Sequence, residues 1–278
     1  MVTLIAHRGF SADAPENTLA AFDMALTNNY PDIEFDVQLS SDGVPVVIHD
    51  STLNRTTDGR GPVNEHTLAQ IIILDAGSWF DSSYCDSGVP TLLEVLLRYS
   101  GCANLHIELK SNEPELPVKV AQLLNQTGWV AEALAQSKLE ASRAPVLVIS
   151  SFDRNQVERS RQALPKCIAH ELLVLEVSEE GLEWAAEHGL KSYLPFVSDI
   201  TPELVQRAHK RHLEVGGWWD SWDPAIIHDV AKAGARHAFV NSPPQARAAL
   251  PVRIEMPMSV VQRIMRAANN HNGLPQPR

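Results

Sequence analysis

The sequence is short of cysteine, of positive charge and of long apolar runs. Its 3 cysteines (Cys85, Cys102 and Cys167) are odd in number and not closely spaced, which excludes a disulfide framework and a zinc knuckle. Lysine and arginine number 23 against 34 aspartates and glutamates, a net charge of −11. Nucleic acid and anionic membrane surfaces would repel such a chain as a whole. No apolar run approaches the roughly 18 residues of a membrane span, and the opening MVTLIA is too short for a secretory leader. These absences lead us to expect a soluble, cytoplasmic protein acting on a small molecule, without nucleic acid or an integral membrane segment. They leave the oligomeric state open.

What is present is alternation. Apolar runs at 2–6, 32–37, 45–49, 104–109, 145–150, 167–174, 190–197, 213–219 and 236–240 suit buried strands, and helical patterns lie between most of them. Leu19, Phe22 and Leu26 share one helical face, and Leu93, Leu96 and Leu97 share another. TPELVQRAHKRH and DPAIIHDVAKAG each open with a capping residue followed by proline. Only QLSSDGV separates the second run from the third, too short for a parallel crossover. Asp42-Gly43 then turns a hairpin, which sets His49 opposite Glu34 and leaves eight βα units. The expected fold class is α/β, a closed (β/α)8 TIM barrel over residues 1–250. A small insertion at about 50–90, rich in turn formers, sits on the catalytic face after strand two. Residues 251–278 read as a last helix and a disordered tail.

Glu34 and Asp36 share one face of a strand, as do Glu108 and Lys110 on another. Buried unpaired charge is costly, and two carboxylates about 4 Å apart repel by roughly 4 kcal/mol at an effective dielectric of 20. One such pair alone suits a structural ion-pair network. A second strand of the same kind, with His7 and His49 at the flanks, favours a divalent cation. Oxygen-only ligands point to Mg²⁺ or Ca²⁺. The histidines then serve acid–base work better than ligation. With Arg8 and Lys110 at the same mouth, the set suits a phosphate ester.

AHRGFSADAPENTLAAF, DIEFDVQLSSDGVPVVIHDSTLNRTTDGRG, VPTLLEVL and IELK resemble, in order and spacing, the glycerophosphodiester phosphodiesterase family. The resemblance implies a (β/α)8 barrel with an insertion after strand two. It implies a metal held by Glu34, Asp36 and Glu108, His7 and His49 as the acid–base pair, and Arg8 and Lys110 on the phosphate. The implied reaction is hydrolysis of a glycerophosphodiester to glycerol 3-phosphate and an alcohol. Toward the C-terminus the chain departs: WDSW (219–222) stands where the family has WTVN, and VNSP (240–243) where it has TD-x-P. Trp222 and Asn241 therefore put the alcohol in question and not the reaction.

Trp219 holds the family's aromatic position and is expected to wall the substrate pocket. Asn17 and Thr18 read as helix caps, Asp50 as a turn residue beside His49, and His106 as a satisfied core histidine. Two rival functions are carried: a lysophospholipase D-type phosphodiesterase, and a catalytically silent barrel used for binding. The second tends to lose a histidine or a metal acid, and this chain retains all of them.

Overall fold

The computed structural model describes residues 2–138, 147–219 and 224–250. Nine strands form one sheet: β1 (Thr3–Ala6), β2 (Asp32–Leu39), β3 (Pro45–Val47), β4 (Asn104–Leu109), β5 (Leu147–Ser151), β6 (Ala169–Leu173), β7 (Ser192–Leu194), β8 (Glu214–Gly217) and β9 (His237–Val240). Every strand but β3 pairs in parallel with its neighbours, and β1 pairs with both β9 and β2. The sheet therefore closes, and the eight parallel strands are the barrel that the alternation implied. β3 lies antiparallel on β2, as the short link required. The register differs by one place: Val37 faces Val47 and Leu39 faces Pro45, which brings His49 level with Phe35 instead of Glu34. The loop takes five residues, closed by Gly43 N–H on Ser40 O at 2.9 Å.

The crossovers are helical: α1 (Leu19–Thr27), then α2 (Leu68–Ile71) in the insertion, α3 (Leu92–Arg98), α4 (Leu116–Gln126), α5 (Trp129–Ser137), α6 (Arg154–Ala163), α7 (Glu179–Glu187), α8 (Pro202–His209), α9 (Pro224–Ala233) and α10 (Pro243–Ala249). Thr201 caps α8 as its sequence indicated, accepting from Leu204 N–H at 3.2 Å. On α3 the buried face is Leu92, Val95 and Leu96, while Leu93 and Leu97 face solvent; the expected leucine stripe is rotated by one residue.

Outward strand residues such as Phe35, Ile107 and Ile149 pack with the helices in the main apolar core. The insertion is a lobe with its own small core, Leu53, Val63, Ile71, Ala76 and Val89 closing on Val46 and Ile48 of the hairpin. It is thereby fixed to the hairpin that carries His49. The terminal helix and tail expected over 251–278 lie outside the described residues. Among the described residues no helix is long and apolar enough to cross a membrane.

Candidate active site

A strand's parity decides what enters the barrel. On β2, Glu34 and Asp36 alternate with the outward Ile33, Phe35 and Val37; on β4, Glu108 alternates with Ile107 and Leu109. Asp36 and Glu108 are register partners on adjacent strands. The result is three buried carboxylates whose nearest oxygens all lie within 4.8 Å of one another. Burial, then Asp36 and Glu108, push Glu34 well above the usual carboxylate range. Burial and Asp36 likewise push Glu108 up to about 7, against its contact with Lys110. Burial also opposes ionisation of Asp36, but Arg8, Lys110 and His49 outweigh it and hold that carboxyl below its ordinary value. One Asp36 oxygen, Oδ1, is buried with no hydrogen-bond partner. An acid set of hard oxygens with an unsatisfied inward atom fits a divalent cation.

Basic groups close around the acids at the C-terminal ends of the strands, where barrels of this kind carry their chemistry. Lys110 Nζ donates to Glu108 Oε1 at 2.8 Å and stands 3.8 Å from Asp36 Oδ1. Arg8 Nε is 3.4 Å from Asp36 Oδ2, and the Arg8 backbone N–H donates to Glu34 Oε2 at 2.9 Å. Arg8 stands in the left-handed region, φ 56°, a conformation uncommon outside glycine and found in clusters at functional sites. Gly9 follows at φ 81°, where an added Cβ would meet Ala21 of α1 at 2.7–2.9 Å. The HRG triplet is thus held by backbone geometry as much as by side chains.

Both histidines stand at this mouth with Nδ1 tied back. His7 Nδ1 is 2.7 Å from Asn241 Oδ1, and its Nε2 is 3.9 Å from Glu34 Oε2. His49 Nδ1 is 2.7 Å from Asp50 Oδ1. With an oxygen acceptor on Nδ1, that nitrogen carries the proton and Nε2 is left for chemistry. Burial, then Arg8, lower His7 to about 3, and burial also lowers His49.

Residues 7–244 match the Glycerophosphoryl diester phosphodiesterase family. The chain belongs to that family. It is 35% identical over 256 residues to a glycerophosphodiester phosphodiesterase of Bacillus subtilis, a match covering 87% of this chain and 84% of that one. It is 34% identical over 218 residues to a glycerophosphodiester phosphodiesterase of Caldanaerobacter subterraneus, covering 77% and 84%. A phosphodiesterase of Oleispira antarctica, solved with the product sn-glycerol-3-phosphate, superposes with a TM-score of 0.77 at 29% identity, covering 89% of this chain and 96% of that one. Family membership makes this chain a phosphoric diester hydrolase by kinship, and the parts described above are the ones the resemblance assigned.

Several neighbours of this phosphodiesterase site are not evident from the sequence. Asn17 is no cap: Thr18 caps α1, while Asn17, at φ 59°, donates to Asp36 Oδ2 at 2.8 Å and accepts from Asp36 N–H at 3.2 Å. Asn241 follows His237 and Phe239 at strand parity, a signal that could have placed it at the mouth. His106 is buried below the acids, but its Nδ1 has no partner, so it is not the satisfied histidine expected.

Trp219 also stands elsewhere than a wall position requires. An added Cβ at Gly217 would meet Val197 and Ile200 of the outer layer, and Trp219 shares that side. It is 1% exposed within the core between barrel and helices. Trp218 faces the interior instead, edge-on to Phe152 and Phe196 with centroids at 5.1 Å from each, and Lys110 Nζ lies 5.4 Å from the Phe152 ring. Trp222 lies outside the described residues.

Proposed function

We propose that this phosphodiesterase hydrolyses glycerophosphodiesters to glycerol 3-phosphate and an alcohol, with one divalent cation, Mg²⁺ or Ca²⁺, held by Glu34, Asp36 and Glu108. The observation that carries the reading is Asp36 Oδ1, a buried carboxylate oxygen without a hydrogen-bond partner, beside two further buried acids. Such a cluster is costly until a cation meets it. When bound, the cation supplies charge that stabilises the ionised acids and withdraws electron density from phosphoryl oxygens.

The chain's own groups do the rest. Arg8 and Lys110 now neutralise Asp36 and Glu108; once those acids are otherwise satisfied, Lys110 and the donors of Arg8 other than Nη1, which Glu16 holds, can turn to phosphoryl oxygens. His7 and His49 divide proton transfer through Nε2. One, with Nε2 unprotonated, takes the proton of the attacking oxygen; the other acts as the imidazolium and gives its Nε2 proton to the leaving alkoxide, so that each ring ends in the form the other began in. Asn241 and Asp50 accept from Nδ1–H in either form and so keep Nε2 of both rings at the mouth. The aromatic side of the mouth, Phe152, Phe196 and Trp218, offers apolar surface to the carbon skeleton of the substrate.

Glycerol 3-phosphate release from glycerophosphocholine, glycerophosphoethanolamine, glycerophosphoinositol and a lysophospholipid tests the proposal, each run with chelator and with Mg²⁺ or Ca²⁺. We expect cation-dependent release from the first three. Full activity in chelator overturns the metal part, and turnover of the lysophospholipid alone overturns the substrate.

A further inference from the structure

The insertion reaches both branches of this site through the Arg55 side chain. Arg55 Nε and Nη2 donate to Asp50 Oδ2 and Oδ1, both at 2.8 Å. From the same guanidinium, Nη1 and Nη2 donate to Glu16 Oε2 and Oε1 at 2.7 and 2.8 Å. Each carboxylate then reaches inward. Asp50 holds His49 Nδ1, and Glu16 accepts from Arg8 Nη1 at 2.9 Å. A single guanidinium therefore joins the His49 branch of the mouth to the Arg8 branch, although neither branch touches the other's carboxylate.

We propose that Arg55 is a positioning residue, clamping Asp50 and Glu16 so that His49 and Arg8 are set relative to each other. The inference rests on the phosphodiesterase reading of His49 and Arg8 and extends it to the insertion. Four N–H bonds in two forks require the planar five-donor guanidinium; an ammonium cannot bridge two carboxylates in this way.

The base of Arg55 is prepared for the task. Leu53 is buried in the insertion core, its N–H donates to Gly61 O at 2.9 Å and its carbonyl accepts from Thr57 Oγ1 at 2.6 Å. Asn54 Oδ1 accepts from Gly61 N–H at 2.9 Å. The turn carrying Arg55 is thus fixed on both sides. The Arg55 side chain is 42% exposed while its partners Glu16 and Asp50 are 12% and 27% exposed, so the guanidinium closes the network from its outer side and both carboxylates face inward to the groups they hold.

The test compares Arg55→Ala, Arg55→Lys, Asp50→Asn and the double variant Asp50→Asn/Arg55→Ala, all saturated with cation, on glycerophosphocholine. We expect Arg55→Ala to lose roughly 10- to 100-fold in kcat/KM, with Tm lowered by less than about 4 °C and cation affinity unchanged. Arg55→Lys should stay impaired, and added guanidinium should restore part of the Arg55→Ala loss. The double variant should lose less than the product of the single losses, because both act through His49. Nitrogen-15 spectra of the His49 ring supply a readout independent of turnover: a single Nδ1–H tautomer in the parent, and both tautomers in Arg55→Ala. An unchanged tautomer overturns the inference, as does kcat/KM within twofold of the parent. If the parent itself cleaves no glycerophosphodiester, the phosphodiesterase reading falls, and the ring spectra still decide whether Arg55 positions His49.

Discussion

At the mouth of the barrel, Glu34, Asp36 and Glu108 bring three carboxylates within 4.8 Å of one another. Nearer the N-terminal ends of the strands, Glu171 meets a histidine instead, with Oε1 3.5 Å from His237 Nε2. Phe239 separates the two, its ring 6.3 Å from that of His7 above and 5.8 and 6.1 Å from those of His237 and His106 below. The lower cluster is buried and polar like the upper and also holds atoms without a hydrogen-bond partner, Glu171 Oε2 and His237 Nε2, yet it gathers one carboxylate among imidazoles where the upper gathers three carboxylates. There burial raises Glu171, but His237 and His106 outweigh it and hold it down to about 2. The upper cluster has more acid than its neighbours can neutralise, so Glu34 and Glu108 are driven up. The difference between the two clusters is thus the number of carboxylates brought together, three against one.

The strongest way to break this contrast is to remove what the upper cluster lacks. Chelation should abolish turnover and added Mg²⁺ or Ca²⁺ should restore it, and Asp36→Asn should cost at least about 10³-fold in kcat even with excess cation. Calorimetric titration should register a weaker cation site in Glu34→Ala and an unchanged one in Glu171→Gln. Next in size, His7→Ala and His49→Ala should each lower kcat by roughly 10²–10⁴ on an alkyl diester. On an aryl diester, whose leaving group needs no proton, only the variant lacking the base should stay severely impaired. Equal losses for both variants on both substrates would contradict divided roles.

The clusters should also respond to pH with opposite sign. Glu108 titrates near 7 when folded against 4.5 as its ordinary value. Between those values the unfolded chain has released a proton that the folded chain still holds, so cation-free protein loses stability as pH rises through this window. Glu171 titrates near 2 against the same ordinary 4.5. Its contribution is complete above about 4.5 and is lost as pH falls toward 2. Thermal melts in chelator from pH 3 to 8 should reveal both slopes. Cation should abolish the upper one, and Glu171→Gln the lower one. Glu171→Gln should destabilise at neutral pH by roughly 1–3 kcal/mol, the cost of leaving a buried partner unsatisfied, with kcat changed only a few-fold.

The upper cluster was legible in the sequence because parity is a local property. Glu34, Asp36, Glu108 and Lys110 announce their shared direction within their own strands, and the short link before β3 announces the hairpin. What stayed hidden depends on facts that no single element carries. Asn17 reaches Asp36 only because it adopts a left-handed φ at the start of α1. Arg55 reaches Asp50 only because the insertion folds back on the hairpin core. His237 sits beside Glu171 because Gly216, its register partner on the adjacent β8, leaves the imidazole room that any Cβ would take. The one-place register error at His49 has the same origin, since turn composition located the loop without fixing its length.

The smallest effect is expected at the two adjacent tryptophans after β8. Sequence position alone favoured Trp219 as the pocket wall, through its match to the family's aromatic position. Strand parity assigns the two differently: Trp219 packs between barrel and helices, and Trp218 stands in the mouth among Phe152 and Phe196. Trp219→Phe should therefore lower Tm and leave the ratio of kcat/KM between choline and inositol esters within twofold. Trp218→Leu removes an aromatic face beside Lys110 from the small apolar cluster inside the barrel and leaves the main core intact, so its Tm should move less and its ratio more. An aromatic contact with a cationic head group is worth roughly 0.5–2 kcal/mol, a few-fold to about thirtyfold in that ratio. A shift of that size in Trp219→Phe and none in Trp218→Leu would return the wall to Trp219 and require the strand end to turn over when substrate binds.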